Sequence, residues 1–332
     1  MIYAMISVII TTYQRPKNLI RAIKSILNQT YNDWELIIVD DNDERTEYRK
    51  ETEHLMSQYS NNNKIRYLRH KKNQNGAAAR NTGIKAAKGE FITFLDDDDY
   101  YMPDRLAILK ELLINNSEFD CAYSGVAISE KGGFLEVREG GRTGSFLTET
   151  LCHDTCWITG SNLFFTAKAI NDVGEFDISF VRHQDTEFMC RFFLKGYKVI
   201  SCSDYLVVKN QDDRKNDINV DKQIITKRHF LDKFRNFISP NEWNNINYRN
   251  YFIILWLCIK NKNLKQYKDI KKLVEQYHKI DKKTNIRLII RWVYCCMPFS
   301  SLLFTIRRVK TIIKLGRKYN CINRFIVQME KY

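Results

Sequence analysis

Four consecutive aspartates, Asp96 to Asp99, close an apolar run, Phe91-Ile-Thr-Phe-Leu95, and precede Tyr100-Tyr-Met-Pro103. Carboxylates packed within a few ångströms repel one another and raise each other's pKa unless a cation or strong donors neutralise them. The cluster offers oxygen donors only, which favours Mg2+ or Mn2+ over zinc. Such an ion takes one or two protein carboxylates and fills its shell with water and substrate phosphates, so the run points to a phosphate-bearing substrate. The same residues also fit an acidic turn capping a helix that opens near Pro103-Asp104-Arg105. Both readings stand at the level of the run alone. Cys152-His-Asp-Thr-Cys156 is the other cluster with a metal flavour, but its spacing suits a loop of small buried residues better than zinc.

The elements around the run must bring it to a useful place. Ile6 to Thr12 is short and β-branched, as a buried strand is. Pro16 opens a helical pattern over Asn18 to Gln29, with Leu19, Ile20, Ile23, Ile26 and Leu27 on one face. Trp34 to Asp40 and Lys64 to Arg69 read as further strands, Gly76 to Ala87 as a small-residue helix suited to close packing, and Glu90 to Leu95 as a fourth strand. This alternation predicts a doubly wound, mostly parallel α/β sheet, in which ligands bind beyond the carboxyl ends of the strands. Thr11-Thr-Tyr-Gln-Arg15, Asp40-Asp-Asn42 and the aspartate run are therefore expected to share one crevice. Cys121 to Gly144 reads as strands and turns, Ile158 to Phe165 as a strand, and His183 to Leu194 as a helix with acidic residues at its start.

Charge divides the 332 residues. Residues 216–332 carry 25 Lys and Arg against 8 Asp and Glu, whereas residues 1–215 carry 28 against 31. We therefore expect two domains, 1–215 and a smaller, basic, helical 216–332. The first suits a small-molecule substrate, and the second a polyanionic surface, either anionic lipid or nucleic acid. Nine scattered cysteines without a Cys-x-x-Cys pair suggest thiols in a reducing compartment. Met1 to Met5 has no basic opening, so no secretory leader is expected.

Taken in order, several pieces make a pattern: Ser7-Val-Ile-Ile-Thr-Thr-Tyr13 with Arg15-Pro16, Ile26-Leu-Asn-Gln-Thr-Tyr31, Glu35 to Asp41, Ala79-Arg-Asn-Thr-Gly83, Gly89 to Asp99, Gly160-Ser-Asn162 and Gln184-Asp-Thr-Glu-Phe188. Over residues 5 to about 205 the chain resembles the family 2 glycosyltransferases of GT-A fold, bacterial enzymes that build cell-surface polysaccharides from nucleotide sugars. The resemblance implies a Rossmann-like nucleotide-binding half, a UDP-sugar donor and Mn2+ or Mg2+. It implies that Thr11, Tyr13 and Asp41 hold the base, the ring stacking on Tyr13, and that Arg15 and Arg80 lie near the phosphates or shape that pocket. Asp96-Asp97-Asp98 matches the family's DXD motif, with Asp98 the direct metal ligand, Asp96 a ligand or ribose contact, and Asp97 in the nucleotide site. Asp99 is left to cap the next helix. Asp185 matches the catalytic base of an inverting enzyme, although Gln184 stands where the family has Glu. Trp157, His183 and Glu187 are candidates for acceptor contact.

The implied acceptor is a glycan or lipid-linked glycan hydroxyl, as in capsule or lipopolysaccharide assembly. The enzyme would sit in the cytoplasm, peripheral at the inner face of the membrane, and a homo-oligomer is a further partner this reading allows. Tyr251 to Ile259 and Trp292 to Ile306 are uncharged but shorter than the ~20 residues a spanning helix needs. The second is flanked by basic residues, which suits a helix lying in an anionic interface, and equally a buried helical hairpin. Two other readings compete: a nucleotide-sugar-binding subunit without catalysis, and a nucleic-acid-binding protein. No zinc-finger, RNP or helix-turn-helix signature accompanies the basic charge, so no nucleic acid is expected.

Overall fold

A computed structural model describes residues 4–130, 133–155, 157–211, 219–260, 263–288 and 329. They divide into two compact units, the described residues of 4–145 and 157–211 with Met329 in the first, and those of 146–155 and 219–288 in the second. Phe146–Thr155, which the sequence reading leaves in the first domain, belongs to the second unit.

The first unit opens as β1 (Ile6–Thr12), α1 (Pro16–Leu27), β2 (Trp34–Asp40), α2 (Glu47–Ser57), β3 (Ile65–Arg69), α3 (Gly76–Ala86) and β4 (Phe91–Asp96). These strands lie in the order β3-β2-β1-β4, all parallel. Val8, Ile9, Ile10, Leu36, Ile37 and Ile38 are fully buried, as the uninterrupted apolar strands of a covered parallel sheet are. Register places Thr11 between Val39 and Asp96, and Thr12 beside Asp40, so the polar strand ends share one edge. Close packing explains the small residues of α3. Ala77 and Ala79 are fully buried, and a Cβ on Gly83 would overlap the Ile9 side chain.

The remaining half is mixed. It comprises β5 (Asp99–Tyr101), α4 (Arg105–Ile114), β6 (Cys121–Glu130), β7 (Gly133–Arg138), β8 (Phe164–Thr166), α6 (Ala167–Val173), α7 (Gln184–Leu194) and β9 (Val199–Asn210), with α5 (Leu147–Leu151) falling in the second unit. The sheet continues from β4 as β8-β6-β9-β5, with β7 on β6. Only β6–β9 is parallel here, while β4–β8, β6–β8, β5–β9 and β6–β7 are antiparallel. Short connections such as that from β6 to β7 leave no room for a crossover, so the mostly parallel expectation holds for the first half alone. The strand expected over Ile158 to Phe165 is reduced to β8, because Gly160–Asn162 forms a 3-10 turn whose polar groups serve the site.

In the second unit, α5 joins α8 (Val220–Phe234), α9 (Pro240–Lys260) and α10 (Leu264–Tyr277). The uncharged Tyr251 to Ile259 is the core face of α9, with Tyr251, Ile254, Leu255, Cys258 and Ile259 buried at helical spacing. Among the described residues no helix is long and apolar enough to cross a membrane. Trp292 to Ile306 lies outside the described residues.

Candidate active site

The four aspartates have four different surroundings. At the end of β4, Asp96 Oδ1 accepts from Arg80 Nη2 at 2.8 Å, and Lys209 Nζ lies 3.8 Å from Oδ2. Its backbone N–H donates to Ser161 Oγ at 3.0 Å. Asp97 is buried and turned to the end of β1. Its Oδ2 accepts from Thr12 Oγ1 at 2.8 Å and Tyr13 N at 3.3 Å, and its Oδ1 from Arg15 Nη1 at 3.3 Å. Asp98 Oδ2 accepts from Arg15 Nη1 at 2.7 Å. Asp99 is fully buried in β5 opposite Lys209, where its Oδ2 takes Lys209 Nζ at 2.7 Å and Ser161 Oγ at 2.6 Å.

One expectation changes here. Asp99 is not a helix cap, since α4 begins at Arg105 with Asp104 at its N-cap position; Asp99 braces β5 to β9. Asp97, expected in the nucleotide site, has both its oxygens bonded to the Thr12–Arg15 turn.

Burial raises the pKa of Asp97 to about 6 and that of Asp98 to about 7. For Asp98 the charges of Asp99, Asp96 and Asp97 add to the burial, and Arg15 offsets only part of it. A carboxylate held near neutrality in this way is short of positive charge. One oxygen from each of Asp96, Asp98 and Asp99 lies within 4.8 Å of the others. With Asp99 committed to Lys209, Asp96 and Asp98 remain, an all-oxygen pair that fits a Mg2+-like ion.

Arg80 joins this cluster to Asp185. Carried on α3, its guanidinium is buried, with Nη1 donating to Gln184 Oε1 at 2.6 Å and lying 3.8 Å from Asp185 Oδ1. The Phe176 ring packs against it at 5.6 Å. Burial alone would lower the pKa of Arg80, but Asp185 and Asp96 more than offset this and the net shift is upward. Asp185, in the first turn of α7, accepts at Oδ2 from Gly160 N at 2.9 Å. A Cβ at Gly160 would sit 2.8 Å from Arg80 Nη2, so a side chain there would displace the guanidinium.

At the other edge of the crevice Tyr13 is 41% exposed, an aromatic face open to stacking. Thr11, one residue before the end of β1, pairs with Asp96. Asp41 is buried, its Oδ1 bonded to His70 Nδ1 at 2.7 Å and Gln74 N at 2.9 Å, its Oδ2 to Asn73 Nδ2 at 2.8 Å. Burial raises its pKa and the His70 contacts pull it back in part. His70 Nε2 in turn meets Thr82 Oγ1 at 2.8 Å. A base N–H would share Asp41 with these partners.

The acceptor candidates fare differently. Trp157 is buried and stacked on Tyr123 with ring centroids 4.1 Å apart, which makes it core. Glu187 is fully buried and held by Arg191 at 2.6 and 2.9 Å. His183 is half-exposed and stands before α7 at φ 63°. Sequence reasoning gave no role to Thr12 and missed His70 and Lys209. For Lys209 the available signal is a lone cation closing the apolar Leu206-Val-Val run.

Family models described as "Glycosyl transferase family 2" and "Glycosyl transferase family group 2" match residues 7–172 and 91–321. An uncharacterized glycosyltransferase of Rickettsia felis is 39% identical over 131 residues, 40% of this chain and 21% of the relative. The chain thus spans about a fifth of that relative's length. In Escherichia coli, UDP-Glc:alpha-D-GlcNAc-diphosphoundecaprenol beta-1,3-glucosyltransferase WfgD is 31% identical over 113 residues, 34% of this chain and 42% of the relative. The mannosyltransferase PcManGT of Pyrobaculum calidifontis, solved with GDP-Man and Mn2+, superposes with a TM-score of 0.56 at 15% identity, covering 95% of this chain and 86% of its own. That likeness establishes the fold, GT-A as expected.

Proposed function

The chain belongs to the family 2 glycosyltransferases, and from that premise we propose that it moves a sugar from a UDP-sugar donor to a hydroxyl of a glycan or lipid-linked glycan, inverting the anomeric carbon, with Mn2+ or Mg2+ bound. The observation that carries this reading is the grouping of Asp96 and Asp185 around the single guanidinium of Arg80, beside Asp98 and the exposed ring of Tyr13. The Mn2+ and GDP-Man of the Pyrobaculum calidifontis neighbour support a metal and a nucleotide sugar, and the name of the E. coli relative supports a UDP-sugar and a lipid-linked acceptor.

In this reading Asp96 and Asp98 hold the cation, which when bound supplies positive charge to the departing diphosphate. Tyr13 stacks on the base, Asp41 accepts from its N–H, and Thr11 closes the pocket beside them. Arg15, fixed by Asp97, orients Asp98 and faces the phosphates. Asp185, held by Gly160 N, takes the proton of the acceptor hydroxyl as that oxygen attacks from the face opposite the diphosphate. Proton transfer is concerted with attack, since a carboxylate is far less basic than an alkoxide. The basic second unit rests against the anionic inner face of the membrane, a placement supported by its excess of Lys and Arg.

Turnover of a UDP-sugar panel with Mn2+ or Mg2+ tests the assignment. Asp98→Ala and Asp185→Asn are each expected to lower transfer about a hundredfold or more. Equal turnover by the three proteins would remove both residues from the site.

A further inference from the structure

We propose that Arg80 is a shared counter-ion that couples cation binding at Asp96 to the charge of Asp185, with Gln184 setting the balance. The inference rests on the reading that Asp96 and Asp98 hold a divalent cation. One guanidinium serves two carboxylates unequally: Nη2 lies 2.8 Å from Asp96 Oδ1, and Nη1 lies 3.8 Å from Asp185 Oδ1. Asp185 Oδ1 is buried and has no hydrogen-bond partner among the described residues, so Arg80 is the positive group it faces.

The slot is built around this arrangement. Phe176 covers the guanidinium, and a Cβ on Gly76 would lie 3.2 Å from Gln184 Oε1. Gln184 is itself oriented by its amide nitrogen, which donates to Val181 O at 3.4 Å.

A divalent cation bound at Asp96 competes with Arg80 for the same carboxylate. As Asp96 turns to the cation, the charge of Arg80 becomes available to Asp185, which holds that carboxylate in place once the donor complex has arrived. Such coupling is reciprocal: a charged Asp185 draws Arg80 from Asp96 and so favours the cation. Gln184 is central because it anchors Nη1 at 2.6 Å without consuming the charge. A glutamate there would bind the guanidinium as a second carboxylate and take it from both aspartates. The departure from the family's Glu-Asp pair thereby acquires a physical meaning, with Arg80 and Gln184 as positioning residues.

Titration of Mn2+ into the full chain, followed by the paramagnetic resonance signal of free Mn2+, measures the coupling without turnover. Asp185→Asn leaves Arg80 with Asp96 alone and is expected to weaken Mn2+ binding about fivefold. Gln184→Glu draws Arg80 away from Asp96 and is expected to tighten it by a similar factor. Through-space charge alone gives the same signs, so both changes are repeated in an Arg80→Lys background, which keeps the charge but cannot bridge Asp96 and Gln184. There both effects should shrink to within about twofold. Wild-type affinity in either single variant, or effects that persist with Lys at position 80, overturns the coupling while leaving the metal site standing. Failure of the wild-type protein to bind Mn2+ removes the metal reading, and the coupling with it.

Discussion

Asp98 and Asp99 are neighbours in sequence with opposite energetic roles. Asp99 is fully buried against Lys209 at 2.7 Å, and removing one partner of a buried pair strands the other charge at a cost of about 3–5 kcal/mol. Asp99→Ala is therefore expected to lose stability of that order in urea denaturation, and a loss below ~1 kcal/mol would show that Lys209 finds another partner. Asp98 carries the reverse cost. Its pKa is raised from 3.8 to about 7 in the folded chain, so between those values the folded state binds more protons than the unfolded one. Its stabilising contribution is complete below pH 3.8 and is lost as pH rises to about 7. Without divalent cations, Asp98→Asn is expected to gain on the wild type by about 2–4 kcal/mol across that window. Parallel urea midpoints against pH for the two proteins would refute this. Asp96, Asp98 and Asp185 are singled out in the sequence by the ordered pieces of the family resemblance, and the structure brings Asp96 and Asp185 to the same guanidinium. The roles of Lys209 and His70 could not be read, since what gives each its role is a partner 110 and 29 residues away.

At the scale of the element, α3 is the part on which the site depends most. It lies against β1 at Gly83, with Ala77 and Ala79 buried, and that close approach puts Arg80 between Asp96 and Gln184. Gly83→Ala sets two effects against each other. Helix propensity favours alanine by about 1 kcal/mol, while forcing a methyl group onto the buried Ile9 costs about 1–3 kcal/mol. Overpacking is expected to win, giving a net loss near 1 kcal/mol together with weaker turnover as Arg80 shifts. A raised melting temperature would mean that the sheet yields instead. The small-residue pattern made this helix legible, as the β-branched runs did β1, β2 and β4. The mixed half of the sheet was not legible, because β5 and β8 are three residues each and a run so short has no periodicity to read. Their pairing comes from tertiary contacts, Asp99 with Lys209 in β5–β9 and Phe91 opposite Thr166 in β4–β8.

For the whole molecule, the asymmetry of charge bears on where the enzyme works. Lys265, Lys268 and Lys272 are exposed on α10 at spacings of three and four residues, which places them on one helix face. Lys279, Lys282 and Lys283 follow, also exposed. A basic residue near an anionic bilayer contributes about 1 kcal/mol, and salt screens the attraction. A lipid-linked acceptor confines the reaction to a membrane surface, so this face has an anionic partner in the proposed reaction itself. The full chain is expected to sediment with phosphatidylglycerol vesicles at low ionic strength and to be released by ~0.5 M salt. Reversing Lys265, Lys268 and Lys272 to Glu should reduce partitioning at least about a hundredfold, while hydrolysis of a soluble UDP-sugar stays at the wild-type rate because the α10 face holds none of the proposed site residues. Unaltered vesicle binding by that variant moves the membrane contact elsewhere in the chain. Binding to nucleic acid with no vesicle binding assigns the basic surface to a different partner.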